Sequence, residues 1–249
     1  MRALYRFTLL TLCLMLFSGC AASKGAKKDA EVHFILGISY LRQGDVTRAL
    51  KEFLMAEEFD SRDGEIQSSL GQAYLLKDAL EKAEEHDLKA LRLDPENPRY
   101  ANNLAALYLE MERWDDALLY FEQAADNLLF ANPEVALTGM ATAYFHKGDY
   151  LQAAKFSRKA LAQNARYPLA YLRLGETYFA LDRNDKAITN FEQAISLVTA
   201  YPLAQYKLAL AYMKAEQHEK ALLALNEVIR LAPESELAED ARHFVDIIK

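Results

Sequence analysis

Two cysteines and five histidines are the residues of this 249-residue chain best suited to covalent or metal chemistry. His33, His86, His146, His218 and His243 lie far apart, and none stands at the short His-His or Cys-His spacing of a zinc site. Acidic pairs such as Glu57-Glu58, Glu84-Glu85 and Asp115-Asp116 fall in helical stretches or turns, where a solvated face accounts for them. No glycine-rich phosphate loop or nucleophile elbow occurs. The chain is therefore expected not to be an enzyme and to need no cofactor or metal. Reproducible hydrolysis of peptides or glycans by the purified protein, abolished by a point substitution, would overturn that expectation.

Cys20 has a different logic. Arg2 and Arg6 precede an apolar run of eleven residues, Phe7 to Phe17, followed by the small residues Ser18 and Gly19 and then Cys20. A membrane-crossing helix needs about 20 apolar residues, so residues 1–19 read as an export signal that is removed. The residues at the cut resemble a bacterial lipoprotein signal, whose lipobox runs Leu, Ser or Ala, Gly or Ala, then Cys; Phe17 replaces the usual Leu. The resemblance implies that Cys20 is diacylated on sulfur, becomes the N-terminus and is acylated again on its amine. Two or more acyl chains hold a protein stably at a membrane, where one does not. The alternative is an ordinary secretory signal that leaves a free thiol. Ala21 in place of Asp implies, for a Gram-negative source, anchoring at the periplasmic face of the outer membrane. Removal of the leader also removes Cys13, so the mature chain has no internal disulfide and must hold its fold by packing.

Composition narrows the partners. Apolar residues make up 52%, which suits a well-packed helical protein. The net charge of −7, with no basic stripe beyond Lys24, Lys27 and Lys28, argues against nucleic acid. A protein partner, and the membrane through the lipid, are expected instead.

A fixed period runs through the rest. Tyr40, Tyr74, Tyr108, Tyr144, Tyr178 and Tyr212 recur at intervals of 34, 34, 36, 34 and 34. Nine residues after each stands Ala49, Ala83, Ala117, Ala153, Ala187 or Ala221, and seven further on Ala56, Ala90, Ala124, Ala160, Ala194 or Val228. Three residues before each Tyr the chain is small: Gly37, Gly71, Ala105, Ala141, Gly175 or Ala209. The apolar slots have helical spacing, with turns such as Gly44-Asp45 and Gly148-Asp149 between them, so each unit reads as two antiparallel helices. Asp87 and Ser157 occupy a slot held by Phe53, Phe121 and Phe191, which predicts looser packing in the second and fourth units. The two extra residues fall within DNLLFANPE, 126–134, either a long turn or an exposed Leu128-Leu129-Phe130 edge that meets a partner.

These residues resemble the tetratricopeptide repeat, with its period of 34, Leu-Gly, Tyr, two Ala slots and a closing Pro, matched by Pro95 and Pro233. The resemblance implies an all-α fold, a right-handed helical solenoid of six repeats with a C-terminal capping helix. The expected organisation is 1–19 signal, 20–29 lipidated linker, repeats at 30–63, 64–97, 98–131, 134–167, 168–201 and 202–235, and a capping helix at 236–249. In that helix Leu237, Ala241, Phe244 and Ile248 share one face, as a solenoid end requires.

The family's concave surface implies a candidate protein-binding groove. Its inner row holds the residue after each Tyr (Leu41, Leu75, Leu109, Phe145, Phe179 and Met213), with Ile38 and Phe34 in the first unit and Asn103 and Arg173 in a neighbouring slot. Six large apolar residues in one row suit an apolar or amphipathic segment, although part of each side chain is expected to pack against the next unit. The slot beside Asn103 and Arg173 carries no Lys, so the carboxylate clamp of some family members is absent. The anchor, six repeats, the Asn102-Asn103-Leu104 run and the Leu-rich irregularity together resemble the pilotin family of type IV pilus biogenesis and stability lipoproteins. That resemblance implies help in localising or assembling the secretin of the outer membrane. A tetratricopeptide lipoprotein adaptor of another envelope machine (barrel assembly, polysaccharide export or wall-hydrolase recruitment) would share fold and anchor, and stays open.

Overall fold

The computed structural model describes residues 25–248, helical apart from short turns and without a strand among them. Cys20 and the leader lie outside the described residues. The helices are α1 (residues 25–42), α2 (Val46–Phe59), α3 (Gly64–Leu75), α4 (Leu80–Leu93), α5 (Pro98–Glu110), α6 (Trp114–Asp126), α7 (Pro133–His146), α8 (Tyr150–Gln163), α9 (Pro168–Ala180), α10 (Asn184–Leu197), α11 (Pro202–Lys214), α12 (His218–Leu231) and α13 (Glu236–Ile248). The fold is all-α, six helix pairs followed by a thirteenth helix.

One backbone device closes every pair. Gly44, Asp78, Glu112, Gly148, Asp182 and Glu216 all have φ between 55° and 78°, and each ends the first helix of its pair. Their N–H groups donate to the carbonyls of Leu41, Leu75, Leu109, Phe145, Phe179 and Met213, at 2.9 to 3.1 Å. The next N–H in each case donates to the carbonyl of the repeated Tyr, from Asp45 to Tyr40 through to Gln217 to Tyr212. This is the Schellman closure, in which a left-handed residue returns two N–H groups to carbonyls the helix would leave open. Glycine adopts that conformation freely, whereas a side chain there costs about 1–2 kcal/mol, and four of the six positions bear it. Asp45 and Asp149 then cap α2 and α8, accepting from the N–H of Arg48 at 2.9 Å and Gln152 at 3.1 Å. Proline opens α5, α7, α9 and α11, where its missing N–H is no loss.

Small residues let the paired helices approach. The two repeated Ala slots, with Val228 in the last, are fully buried in all six pairs. Phe53 lies against Gly37 and Phe191 against Gly175, so closely that a Cβ on either glycine would sit within 2.5 Å of the ring. The expected looseness of the second and fourth units is not found. Gly71 approaches Asp87 just as closely, with a Cβ reaching 2.2 Å from its Oδ1, and Ser157 is buried with its hydroxyl donating to Ala153 O at 2.9 Å.

The chain divides into two compact units, one through Leu107 and one from Tyr108. In the first, Phe53, Ile66 and Leu70 centre a core with Ala30, Ala49, Ala56 and Ala73. In the second, α7 packs on α6 and α8, α9 on α8 and α10, and α11 on α10 and α12. Its last core joins Ala209, Ala224, Leu225 and Val228 to α13, where Ala241 is buried and Leu237, Phe244 and Ile248 cover the cluster.

Candidate binding surfaces

The Schellman turns fix the residue after each Tyr by its own carbonyl, so the expected groove row has a defined backbone in all six pairs. Its side chains are half-buried throughout. In the first unit Phe34, Ile38 and Leu41 lean on the Phe53 core together with Tyr40, Leu50 and Tyr74, with the Phe34 and Phe53 rings 6.0 Å apart. Phe34 and Ile38 also line an open pocket on α1 with Ile35, Ser39, Arg42 and Gln43. Leu75 is half-buried on α3, and Asn103 donates to Ser68 Oγ at 3.0 Å, so its amide is already partnered.

The outer side of α1 differs from every later first helix. Val32 is 48% exposed, Ile35 57% and Leu36 41%. The residues equivalent to Val32 are Ile66, Tyr100, Ala136, Ala170 and Ala204; those equivalent to Leu36 are Leu70, Leu104, Met140, Leu174 and Leu208. None of these ten exceeds 6% exposure. Each later first helix is covered by the pair before it; α1 has no such cover among the described residues. At the other end, α13 turns Glu239, Asp240, Arg242, His243 and Asp246 outward, with Ile247 the apolar exception. The α1 end thus presents an uncovered apolar face, and the α13 end a mostly polar one.

In the second unit Phe145 and Phe179 come together, lining a pocket of about 120 Å³ with Ala180, Phe191, Leu210, Glu176 and Lys207. Arg173 reaches it only through Glu176, donating from Nη1 to Oε2 at 2.7 Å, while Lys207 Nζ lies 3.2 Å from Oε1. Arg173 Nε is buried without an acceptor among the described residues. Burial raises the phenol pKa values of Tyr167 and Tyr201, both of which feel the Arg173 charge. Lys214 stands over the Phe179 ring at 4.8 Å and pairs with Asp182. Met213 packs on the core, and Leu109 is half-buried without lining this pocket. Lys207 escaped the sequence reading, although it follows Arg173 by one period of 34 and so holds the same slot. In the turn after α6, Leu128 and Leu129 are 100% and 88% exposed on a backbone held by Asn127, whose Oδ1 accepts from Leu129 N at 2.9 Å.

Three of the five histidines are structural partners. His33 Nδ1 is 2.7 Å from Glu52, His86 Nδ1 is 2.8 Å from Gln67 Oε1, and His146 stacks on Trp114 at 4.7 Å. Among the described residues no three His, Cys, Asp or Glu side chains gather to hold a metal ion.

Models of the tetratricopeptide repeat match residues 21–63, 36–98, 88–119, 144–189 and 202–235, and a TPR repeat model matches 175–215. Among solved structures, PilW, described as a widely conserved type IV pilus biogenesis factor, aligns with TM-score 0.78 at 18% identity, over 86% of this chain and 98% of that one. Pseudomonas aeruginosa pilF aligns with TM-score 0.74 at 18% identity, over 88% and 99%. The Cut9 complex aligns with TM-score 0.77 at 19% identity, over 94% of this chain but 45% of that one. These identities speak to fold alone. Human Tetratricopeptide repeat protein 17 is 39% identical over 66 residues, 26% of this chain, and the chain spans 6% of that relative's length. Period, paired helices, Schellman turns and matched models agree: the chain is a tetratricopeptide repeat protein.

Proposed function

We propose that the chain is a non-enzymatic, lipid-anchored scaffold that holds a secretin subunit at the outer membrane during type IV pilus assembly. The observation that carries this reading is co-extension in both directions: the alignments with two solved pilus proteins cover 86% and 88% of this chain and 98% and 99% of theirs, whereas MamA covers 66% of this chain and Cut9 is spanned to only 45%. The leader and Cys20 support the anchor. The uncovered α1 face is the place for an apolar or amphipathic segment of the subunit. Val32, Ile35 and Leu36 are already about half covered, so completing their burial supplies roughly 1 kcal/mol each. The anchor adds to this by confining the scaffold to the membrane where the subunit must assemble, which raises its effective concentration. No turnover is required; capture and position suffice.

Deleting the gene tests the reading. Secretin multimers extracted from membranes should fall sharply and pili should be lost, with restoration by the intact chain. Unchanged multimers and normal pili would exclude the secretin role.

A further inference from the structure

We infer that the pocket between Phe145, Phe179 and Leu210 receives one large apolar side chain of a partner segment that carries an acidic side chain beside it, the carboxylate meeting Lys207. This deepens the reading of the chain as a binding scaffold and rests on that reading, but not on the partner being a secretin. The walls come from three successive first helices, α7, α9 and α11, with Phe191 of α10 behind them. An apolar cavity of roughly 150 Å³ admits a benzene ring, so about 120 Å³ of open-mouthed space suits a single Leu- or Phe-sized group.

The charge at the rim sets the second requirement. Glu176 is nearly buried and gives one oxygen to Arg173 and the other to Lys207, so two cations share one carboxylate. The neighbouring Lys214 is balanced by Asp182. Arg173 holds the shorter contact, 2.7 Å against 3.2 Å, which leaves Lys207 as the cation on the pocket wall with charge to spare. A carboxylate from the partner balances that charge beside apolar walls, where a charge-assisted contact is strongest. A basic or neutral residue at that place leaves the excess uncompensated.

The test is an NMR titration of the methyl-labelled chain with acetylated, amidated twelve-residue peptides bearing Phe-Glu, Phe-Gln or Phe-Lys at the centre. The Leu210 methyl signals should shift with Phe-Glu, and the Gln peptide should bind about tenfold more weakly, the Lys peptide more weakly still. Lys207→Gln should erase the difference between Glu and Gln with circular dichroism unchanged, and Phe145→Ala should weaken both peptides. Equal binding of the Glu and Gln peptides, or no response at Leu210, overturns the inference. A further Phe-Gln peptide left with a free C-terminal carboxylate, if it alone binds, overturns the inference in favour of chain-end capture. If the peptides behave as expected while secretin multimers survive gene deletion, the pilus role falls and the pocket assignment stands.

Discussion

Asp87 is 3% exposed, lies against Gly71, has no donor to its Oδ1, and occupies the slot where Phe53, Phe121 and Phe191 stand in other pairs. Burial, with no cation nearby to offset it, pushes its carboxyl up to about 8 from an ordinary 3.8. The folded protein therefore keeps a proton that the unfolded chain releases near pH 4. The contribution to stability is complete below about pH 4 and is lost as pH rises through about 8. At 1.36 kcal/mol per pH unit, the loss between pH 4 and pH 7 amounts to about 4 kcal/mol. Asp87→Asn keeps the shape and removes the titration, so at pH 7 the variant should be more stable by up to about 4 kcal/mol. At pH 4 the two proteins should converge. Urea unfolding followed by circular dichroism from pH 4 to 9 measures this, and the difference between the curves cancels the other carboxylates. Parallel stability curves for the two proteins would refute the assignment of a buried, neutral acid.

The left-handed turns make a second prediction: Glu112→Gly and Glu216→Gly should each stabilise the chain by about 0.5–1 kcal/mol in urea unfolding, while Glu122→Gly, exposed within α6, should cost about 1 kcal/mol. Leu41→Glu should lower stability by about 2 kcal/mol or more, because Leu41 leans on the Phe53 core, whereas Leu36→Asn should leave the unfolding midpoint nearly unchanged. Cys20→Ser should move the chain from the membrane to the soluble fraction on cell fractionation; persistence at the membrane would reject the lipid anchor.

The repeat was legible because Tyr, Ala and Gly recur at slots where sterics allow little else. The paired helices and the face of α13 followed from the same spacing. Gly44 and Gly148 mark two turns and Asp78 and Asp182 are of a type that tolerates the left-handed backbone, but Glu112 and Glu216 take it without any signal in their residue type. The partial burial expected of the groove row is what the helices show, with all six side chains half-buried. Its residues stand at the end of a first helix, where the turn folds them halfway onto the core. The exposure of the α1 face is not legible in the sequence, because Val32 and Leu36 match the core pattern of the later units, and only the lack of a covering pair among the described residues sets them apart. Looseness around Asp87 is absent because Gly71 leaves room for the carboxylate to lie directly against the facing helix.

A secretin subunit docked on the α1 face would lie within reach of a crosslinker placed there. Site-specific photo-crosslinking in living cells tests that docking most directly, with the crosslinker placed at Ile35 on the α1 face or at Asp240 on the polar face of α13. A crosslink to the secretin subunit is expected from Ile35, lost with Leu36→Asn, and none from Asp240. Secretin crosslinks from Asp240 alone, or from neither position while pili form normally, would contradict it.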